Sequence, residues 1–144
     1  MQRQQTGFTL IELLVVIAII GMLATLSVVS LQSACAKARD AVRVSSMQNI
    51  RTALELYFND QQMYPNATSL TLGAGSGACL GQAGFDTLGC GSPIMAVAPT
   101  NPTPNGTPFV YTGGSDTYSI SFSLEGQSGE LGAGGHTLTP QGYQ

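Results

Sequence analysis

The fold is decided by residues 13–31, which read LLVVIAIIGMLATLSVVSL and contain no charged side chain. About twenty helical residues, each rising about 1.5 Å, cross the roughly 30 Å hydrocarbon core of a bilayer. The run exceeds the roughly 3–10 residues of a typical strand, and a chain of 144 residues could hardly bury so apolar a helix on all sides. The sequence therefore predicts a membrane-spanning helix.

A cleaved secretory signal is the alternative interpretation of this segment. Such signals have a basic start, an apolar stretch of about 7–15 residues and a cleavage site of small residues. Here the first six residues, MQRQQT, contain one cation, and the apolar run is longer than in a signal. Ser33, Ala34 and Ala36 would be the small residues of a cleavage site. The length of the run favours the membrane anchor.

Charge divides the chain into two parts. Residues 1–51 contain all five Lys and Arg and two acids, whereas residues 52–144 contain six acids and neither Lys nor Arg. All seven prolines lie at Pro65 or later. This uneven distribution argues against a single evenly composed enzyme, and a second part without cations cannot neutralise phosphates. We predict no direct nucleic-acid binding.

A carboxylate marks the start of the apolar run. Placing an ionised Glu12 in hydrocarbon costs on the order of 3 kcal/mol, so this residue is a functional candidate that needs a partner. Arg3 is the one cation before Lys37. A cut in front of Phe8 would create an ammonium four residues from Glu12, in the same chain or in a neighbour. The other interpretation, a carboxylate that reaches water at the membrane surface, stays open at this point.

The stretch from Gly7 to Gly21, GFTLIELLVVIAIIG, is similar nearly residue for residue to the N-terminal signature of type IV pilins and type II secretion pseudopilins. The resemblance implies that residues 1–7 are a leader, that a prepilin peptidase removes it after Gly7, and that the new terminal Phe8 is N-methylated. It also implies that Glu12 pairs with the terminal amine of a neighbouring subunit during filament assembly.

The resemblance also implies an orientation, with the leader in the cytoplasm and the remainder outside. The protein would be a single-pass inner-membrane protein before assembly, and afterwards part of an extracellular pilus or a periplasmic pseudopilus. The positive-inside rule points the other way, because Lys37, Arg39 and Arg43 follow the span whereas Arg3 precedes it. We follow the signature.

The helix is predicted to continue beyond the membrane segment. Neither Pro nor Gly occurs between Met22 and Tyr64, and the Tyr64-Pro65 pair sets the end near Gln61. One face of this rear part is an apolar stripe at helical spacing, and the opposite face is polar and includes an ion pair four residues apart. The apolar stripe consists of Met47, Ile50, Leu54 and Tyr57, and the polar face of Arg43, Gln48, Arg51, Glu55 and Asn59.

Residues 63–144 are predicted to form a globular head. A loop rich in Gly, Ala and Ser covers residues 64–93. Apolar and polar side chains then alternate over residues 117–124, which is typical of a half-buried strand after a hairpin turn, here at 113–116. The predicted strands are 94–98, 109–112, 117–124 and 136–139. An antiparallel sheet of about three strands would cover the apolar stripe, which gives an α+β fold.

Three cysteines allow a disulfide. In the oxidising compartment that the orientation implies, Cys79 and Cys90 can form a bridge that closes a loop of about a dozen residues and adds roughly 3 kcal/mol to stability. Zinc is the competing interpretation, but paired CxxC spacing is lacking and His136 is the sole histidine. Cys35, on the helix, is predicted to be a packed apolar residue.

Neither a metal site nor an active site is predicted. The resemblance implies calcium in a late acidic loop of pseudopilins of the major type. The corresponding residues 125–130 contain two acids, Glu125 and Glu130, where a hard cation takes about six oxygens or more. The glycines of 73–77 lack the Gly-Lys-Ser/Thr of a phosphate-binding loop, and no GxSxG motif sets up a nucleophile. We predict no cofactor, no metal and no catalytic residue.

These features predict a structural subunit of a type IV pilus-like helical filament. Its regions are the leader (1–7), the transmembrane and filament-core helix (8–31), the amphipathic rear of that helix (32–62) and the head (63–144). Its partners would be copies of itself, prepilin peptidase, the inner-membrane assembly machinery and, before assembly, the bilayer. A type II secretion pseudopilin is the first alternative, and a signal-anchored binding domain that never polymerises is the second.

Overall fold

The structure is a computed structural model that describes residues 7–144. The leader predicted over residues 1–7 lies, apart from Gly7, outside the described residues. Two compact units make up the chain, one ending at Cys35 and the other formed by Ala36–Gln144. A long helix, α1 (Leu10–Gln61), contributes residues to both units.

The front of α1 is apolar and uncovered. Within residues 7–144, α1 is the one helix long and apolar enough to cross a membrane, and none of its most apolar window is buried. Leu14, Ile17 and Ile20 are each more than half exposed. The hydroxyls of Thr25 and Ser27 donate to helix carbonyl oxygens at 2.8 Å and 2.9 Å, so these polar groups are satisfied within the helix. Such a surface requires lipid or other apolar helices around it.

Eight short strands follow the helix and form two antiparallel sheets. The strands are β1 (Tyr64–Thr71), β2 (Cys79–Gly81), β3 (Gly84–Asp86), β4 (Pro93–Met95), β5 (Val110–Ser115), β6 (Thr117–Leu124), β7 (Gly134–Thr139) and β8 (Gly142–Tyr143). The larger sheet has the order β1-β5-β6-β7-β8, and the smaller sheet has the order β3-β2-β4. The predicted α+β class, a long N-terminal helix with an antiparallel head, is confirmed.

The core of the head lies between the rear of α1 and the larger sheet. The apolar stripe predicted on the helix is buried, as is the apolar face predicted for β6. These side chains are Met47, Ile50, Leu54 and Tyr57 from α1, and Tyr118, Ile120, Phe122 and Leu124 from β6. Burying one such aliphatic or aromatic side chain stabilises the fold by about 1.5–3 kcal/mol. The core therefore fixes the rear of the helix to the sheet.

The sheets are larger than the sequence predicted. β1 lies within residues 64–93, which were expected to be a loop, and β5 extends through residues expected to form the hairpin turn. Strand 94–98 is shortened to β4 and belongs to the smaller sheet. The strand predicted at 136–139 begins two residues earlier, as β7, and it lies inside the sheet, because Leu138 pairs with Ile120 on one side and with Tyr143 of β8 on the other.

The polar face of the rear helix is confirmed except at one position. Gln48, Glu55 and Asn59 are exposed, and Arg51 Nε donates to Glu55 Oε1 at 2.8 Å. Arg43 was placed on this face, but its side chain is fully buried. The reason is that acceptors from distant loops surround the guanidinium, which the spacing along the helix does not reveal.

Candidate functional site

The first turn of α1 is closed by a capping box. Thr9 precedes the helix, and Glu12 N donates to Thr9 Oγ1 at 3.3 Å. The Glu12 carboxylate in turn accepts hydrogen bonds from Thr9 N at 3.0 Å and from Thr9 Oγ1 at 2.7 Å. This reciprocal pattern satisfies backbone donors that have no partner within the helix. Sequence reasoning missed this role of Glu12, although the Thr-x-x-Glu spacing is the signal for it.

Among residues 7–144, the Glu12 carboxylate has no cationic partner. The carboxylate lies on the same surface as the side chains of Phe8, Ile11 and Val15, and Phe8 is 82% exposed. An ammonium from another molecule can therefore reach Glu12 across an open apolar surface.

The peptide bond predicted for cleavage is accessible. Gly7 and Phe8 are both exposed and precede the first helical residue, Leu10. A peptidase requires an extended, uncovered segment, and a bond inside the helix would not provide one. The structure thus places Gly7, Phe8 and Glu12 within one short stretch at the start of the helix.

The head contains the disulfide that the sequence allowed. Cys79, in β2, is bonded to Cys90, eleven residues further along the chain, with their Cα atoms 6.1 Å apart. Cys35 is exposed with a free thiol in the single chain, rather than packed as expected. His136 Nε2 lies 2.7 Å from Gly132 O, and its ring lies against that of Phe122. These contacts give the histidine a structural role.

A second polar cluster lies where the rear helix meets two loops of the head. Arg43 Nη1 donates to Asp40 Oδ1 and to Glu125 Oε1, each at 2.7 Å, and Arg43 Nε donates to Asn101 Oδ1 at 2.7 Å. Arg43 Nη2 donates to the backbone oxygens of Pro102 and Asn105. We call this set the Arg43 cluster; it consists of Asp40, Arg43, Asn101, Pro102, Asn105 and Glu125.

Glu125 is the acceptor that links the cluster to a second arginine. Arg39 donates to both Glu125 oxygens, from Nε at 2.7 Å and from Nη2 at 2.6 Å. Asn105 Nδ2 donates to Oε2 at 2.9 Å. Hydrogen bonds from Arg39, Asn105 and Arg43 hold the pKa of the Glu125 carboxyl well below its usual range, because each stabilises the ionised form.

The donor set of the late acidic loop does not fit calcium. Glu125 is engaged by two guanidinium groups, and Glu130 is exposed and makes none of the ion pairs of residues 7–144. Within the same residues, no three His, Cys, Asp or Glu side chains lie close enough together to hold a metal ion. A calcium ion needs about six oxygens or more. The Glu125 carboxylate of this loop is already bound to Arg39 and Arg43.

Residues 7–144 belong to an architectural class with one long helix, apolar at its front, and a small antiparallel β head. A family model described as the prokaryotic N-terminal methylation motif matches residues 2–28. The N-terminal segment thus carries the methylation motif, and the long helix with an antiparallel head is the architecture expected from the resemblance to type IV pilins and type II secretion pseudopilins.

Curated relatives agree with this class. Type II secretion system core protein G of Pseudomonas aeruginosa is 42% identical over 65 residues, which is 45% of this chain and 46% of that protein. The protein of the same name from Dickeya chrysanthemi is 42% identical over 74 residues, or 51% and 48% of the two chains. The one from Escherichia coli is 44% identical over 62 residues, or 43% of each chain. The chain thus spans about half the length of the curated relatives it matches, and no solved structure matches it significantly.

Proposed function

We propose that this protein is a pseudopilin, a structural subunit of a periplasmic filament of the type II secretion class. The observation that carries the proposal is the Glu12 carboxylate, which has no cationic partner within residues 7–144 and lies at the start of an uncovered apolar helix, inside a methylation motif. Relatives named as type II secretion core proteins favour a pseudopilus over the pilus filament that the sequence analysis placed first.

The proposed mechanism begins in the inner membrane. Prepilin peptidase cuts after Gly7, and the new ammonium of Phe8 becomes N-methylated. The front of α1 then exchanges lipid for the helices of neighbouring subunits, and the inner-membrane assembly machinery extracts it. Each contact joins different surfaces of two copies, so the assembly does not close and grows as a helical filament.

Glu12 sets the register of this assembly. In the single chain its carboxylate is held by the Thr9 amide and hydroxyl. In the filament it accepts hydrogen bonds from the Phe8 ammonium of a neighbour instead, so that both partners of the pair are charged. A subunit that misses this register leaves a carboxylate unpaired among apolar side chains, at a cost on the order of 3 kcal/mol.

The proposal is tested with a Glu12→Gln variant. We expect it to insert in the membrane and to be cleaved, but to form no filaments, because the neutral amide cannot neutralise the charge of the ammonium. The matched control is Glu130→Gln, the same substitution at an exposed head residue, which should form filaments normally. Mass spectrometry of the mature protein should show a methylated chain that starts at Phe8. Normal filaments from Glu12→Gln, or a mature chain that starts at Met1 or after Ala36, would contradict the proposal.

Deletion of the gene distinguishes a pseudopilus subunit from a pilus subunit. If the protein is a pseudopilin, the deletion abolishes protein export while long surface filaments, imaged by electron microscopy, persist. Loss of surface filaments with intact export would instead favour the pilus subunit. A chain that stays monomeric in detergent and in membranes, whatever stands at position 12, would favour the anchored binding domain.

A further inference from the structure

The Arg43 guanidinium uses all of its donors inside the protein. A guanidinium has five N–H groups, and Arg43 makes five hydrogen bonds, one to each of the other five members of the Arg43 cluster. The side chains of Arg43 and Asp40 are fully buried. A buried charge with every donor matched is a built site and not a solvated surface contact.

Apart from that of Asp40 on α1, the oxygens around Arg43 come from segments outside both sheets. Residues 101–105 lie between the end of β4 at Met95 and the start of β5 at Val110, and Glu125 follows the end of β6. Asp40 holds the second of these segments by its backbone, since its carboxylate accepts Glu125 N at 2.9 Å and Gly126 N at 2.8 Å. The two loops therefore depend on Asp40 and Arg43 for their positions.

The charges of the cluster are balanced once Arg39, which pairs with Glu125, is included. Arg39 and Arg43 contribute two positive charges, and Asp40 and Glu125 contribute two negative charges. A divalent cation added here would leave a net charge of about +2 in a largely buried place, which is unfavourable. The two backbone oxygens and the Asn101 amide oxygen also point at the guanidinium, so a metal would have to displace it to gain these ligands.

We propose that Arg43 is the internal cation of the head. Its guanidinium gathers the oxygens of residues 101–105 and Glu125 onto the helix and takes the place that a divalent cation would have in holding these loops. The head consequently keeps its fold and the position of both loops without any metal ion.

The first test uses the unmodified full chain in detergent micelles. We expect its Tm, and the hydrogen exchange of the Glu125 and Gly126 amides, to be the same in excess EDTA and in millimolar calcium chloride. A Tm that falls in EDTA and recovers with calcium would overturn the proposal. This test needs no variant, so it is decisive even if a substitution prevents folding.

The second test separates a charge that gathers oxygens from a side chain that merely fills space. In Arg43→Ala we expect the Tm to fall by more than about 10 °C, because the buried Asp40 carboxylate loses its cation and Glu125 loses one of its two. The two amides should exchange at least about tenfold faster. Millimolar methylguanidinium should restore a measurable part of both values, whereas potassium chloride at equal ionic strength should not. Arg51→Ala, at the exposed Arg51–Glu55 pair, is the matched control and should change neither value appreciably.

Two results of the second test would overturn the proposal. One is unchanged amide exchange in Arg43→Ala, which would show that the loops hold their positions without the guanidinium. The other is recovery with potassium chloride as large as with methylguanidinium, which would show general screening and not a specific cation site. Arg43→Lys, which keeps the charge but has three donors, should lie between the wild type and Arg43→Ala.

Discussion

Glu12 serves two purposes that one carboxylate can fulfil in succession. In the single chain it completes the capping box with Thr9 and so satisfies the amides at the start of α1. Under the proposed function it exchanges these bonds for the ammonium of a neighbour. The capping box keeps the carboxylate hydrogen-bonded until that neighbour arrives, which lowers the cost of holding a charge at the edge of the membrane.

Two buried tyrosines of the head differ in one hydrogen bond. Tyr111 Oη donates to Pro65 O at 2.7 Å. Tyr118 Oη is buried without a partner among the described residues, and burial raises the pKa of Tyr118 to about 12, so the hydroxyl stays neutral. The same substitution at the two positions therefore measures how much the hydrogen bond of a buried tyrosine hydroxyl contributes to the free energy of unfolding.

We predict opposite outcomes for the two phenylalanine variants. Tyr111→Phe should lower the free energy of unfolding by about 1–2 kcal/mol, because it leaves Pro65 O unpaired in the interior. Tyr118→Phe should leave that free energy unchanged or raise it, because it removes a buried hydroxyl that has no partner. Chemical denaturation of the full chain in detergent measures both, and equal losses for the two variants would contradict the prediction.

At the scale of secondary structure, the sequence predicted the elements whose side chains repeat regularly. The stripe from Met47 to Tyr57 and the alternation in β6 are recognisable in the sequence, because one face of each is buried in the core and its apolar residues recur at regular spacing. β1 shows no such pattern, since two register shifts interrupt its pairing with β5 and its residues beyond Pro65 are mostly exposed or half-buried.

Of the two candidate sites, the sequence predicted the one at the start of α1 but not the Arg43 cluster. Gly7, Phe8 and Glu12 stand in one contiguous motif, so the sequence alone was enough to single them out as candidates. The Arg43 cluster joins α1 to acceptors 58 to 82 residues away, and no local spacing records such partners. From its spacing along the helix alone, Arg43 is predicted to be exposed to solvent, because the loops that bury it are distant in sequence.

The rear of α1 offers a matched pair of leucines for measuring its packing. Leu54 is fully buried in the stripe, whereas Leu56 is 54% exposed. We predict that Leu54→Ala lowers the free energy of unfolding of the detergent-solubilised chain by about 2–5 kcal/mol, because it leaves a cavity against the sheet. Leu56→Ala should change it by less than about 0.5 kcal/mol. Comparable losses at both positions would contradict the proposed packing.

Across the whole molecule, most cations of residues 7–144 are paired within the chain. Arg39 and Arg43 lie before the head in sequence, but both pair with Glu125 of the head, and Arg51 pairs with Glu55. Three of the four Lys and Arg in residues 7–144 are thus engaged within their own chain. The ion pairs between helix and head are made through Glu125, whereas Asp86, Asp116 and Glu130 of the head take part in none of the ion pairs of residues 7–144.

The pairing of Glu125 with Arg39 and Arg43 makes the stability of the molecule sensitive to acid. The pKa of the Glu125 carboxyl is lower in the folded chain than its usual value of 4.5, so the unfolded chain binds a proton more readily. The stabilisation that Glu125 contributes is complete above pH 4.5 and is lost as the pH falls from there towards the lower folded pKa. We predict that the Tm of the full chain in detergent decreases over this acid range and is flat from neutral pH down to about 5.

A Glu125→Gln variant isolates the contribution of this carboxylate. Its Tm should be lower than that of the wild type at neutral pH, because Arg39 and Arg43 lose a charged acceptor. Its Tm should also fall less steeply below pH 4.5, because position 125 no longer titrates, so the two curves approach each other in acid. Glu130→Gln is the control, and its curve should follow that of the wild type. If the wild-type and Glu125→Gln curves stay parallel from neutral pH to acid, the coupling between Glu125 and the two arginines does not stabilise the folded chain.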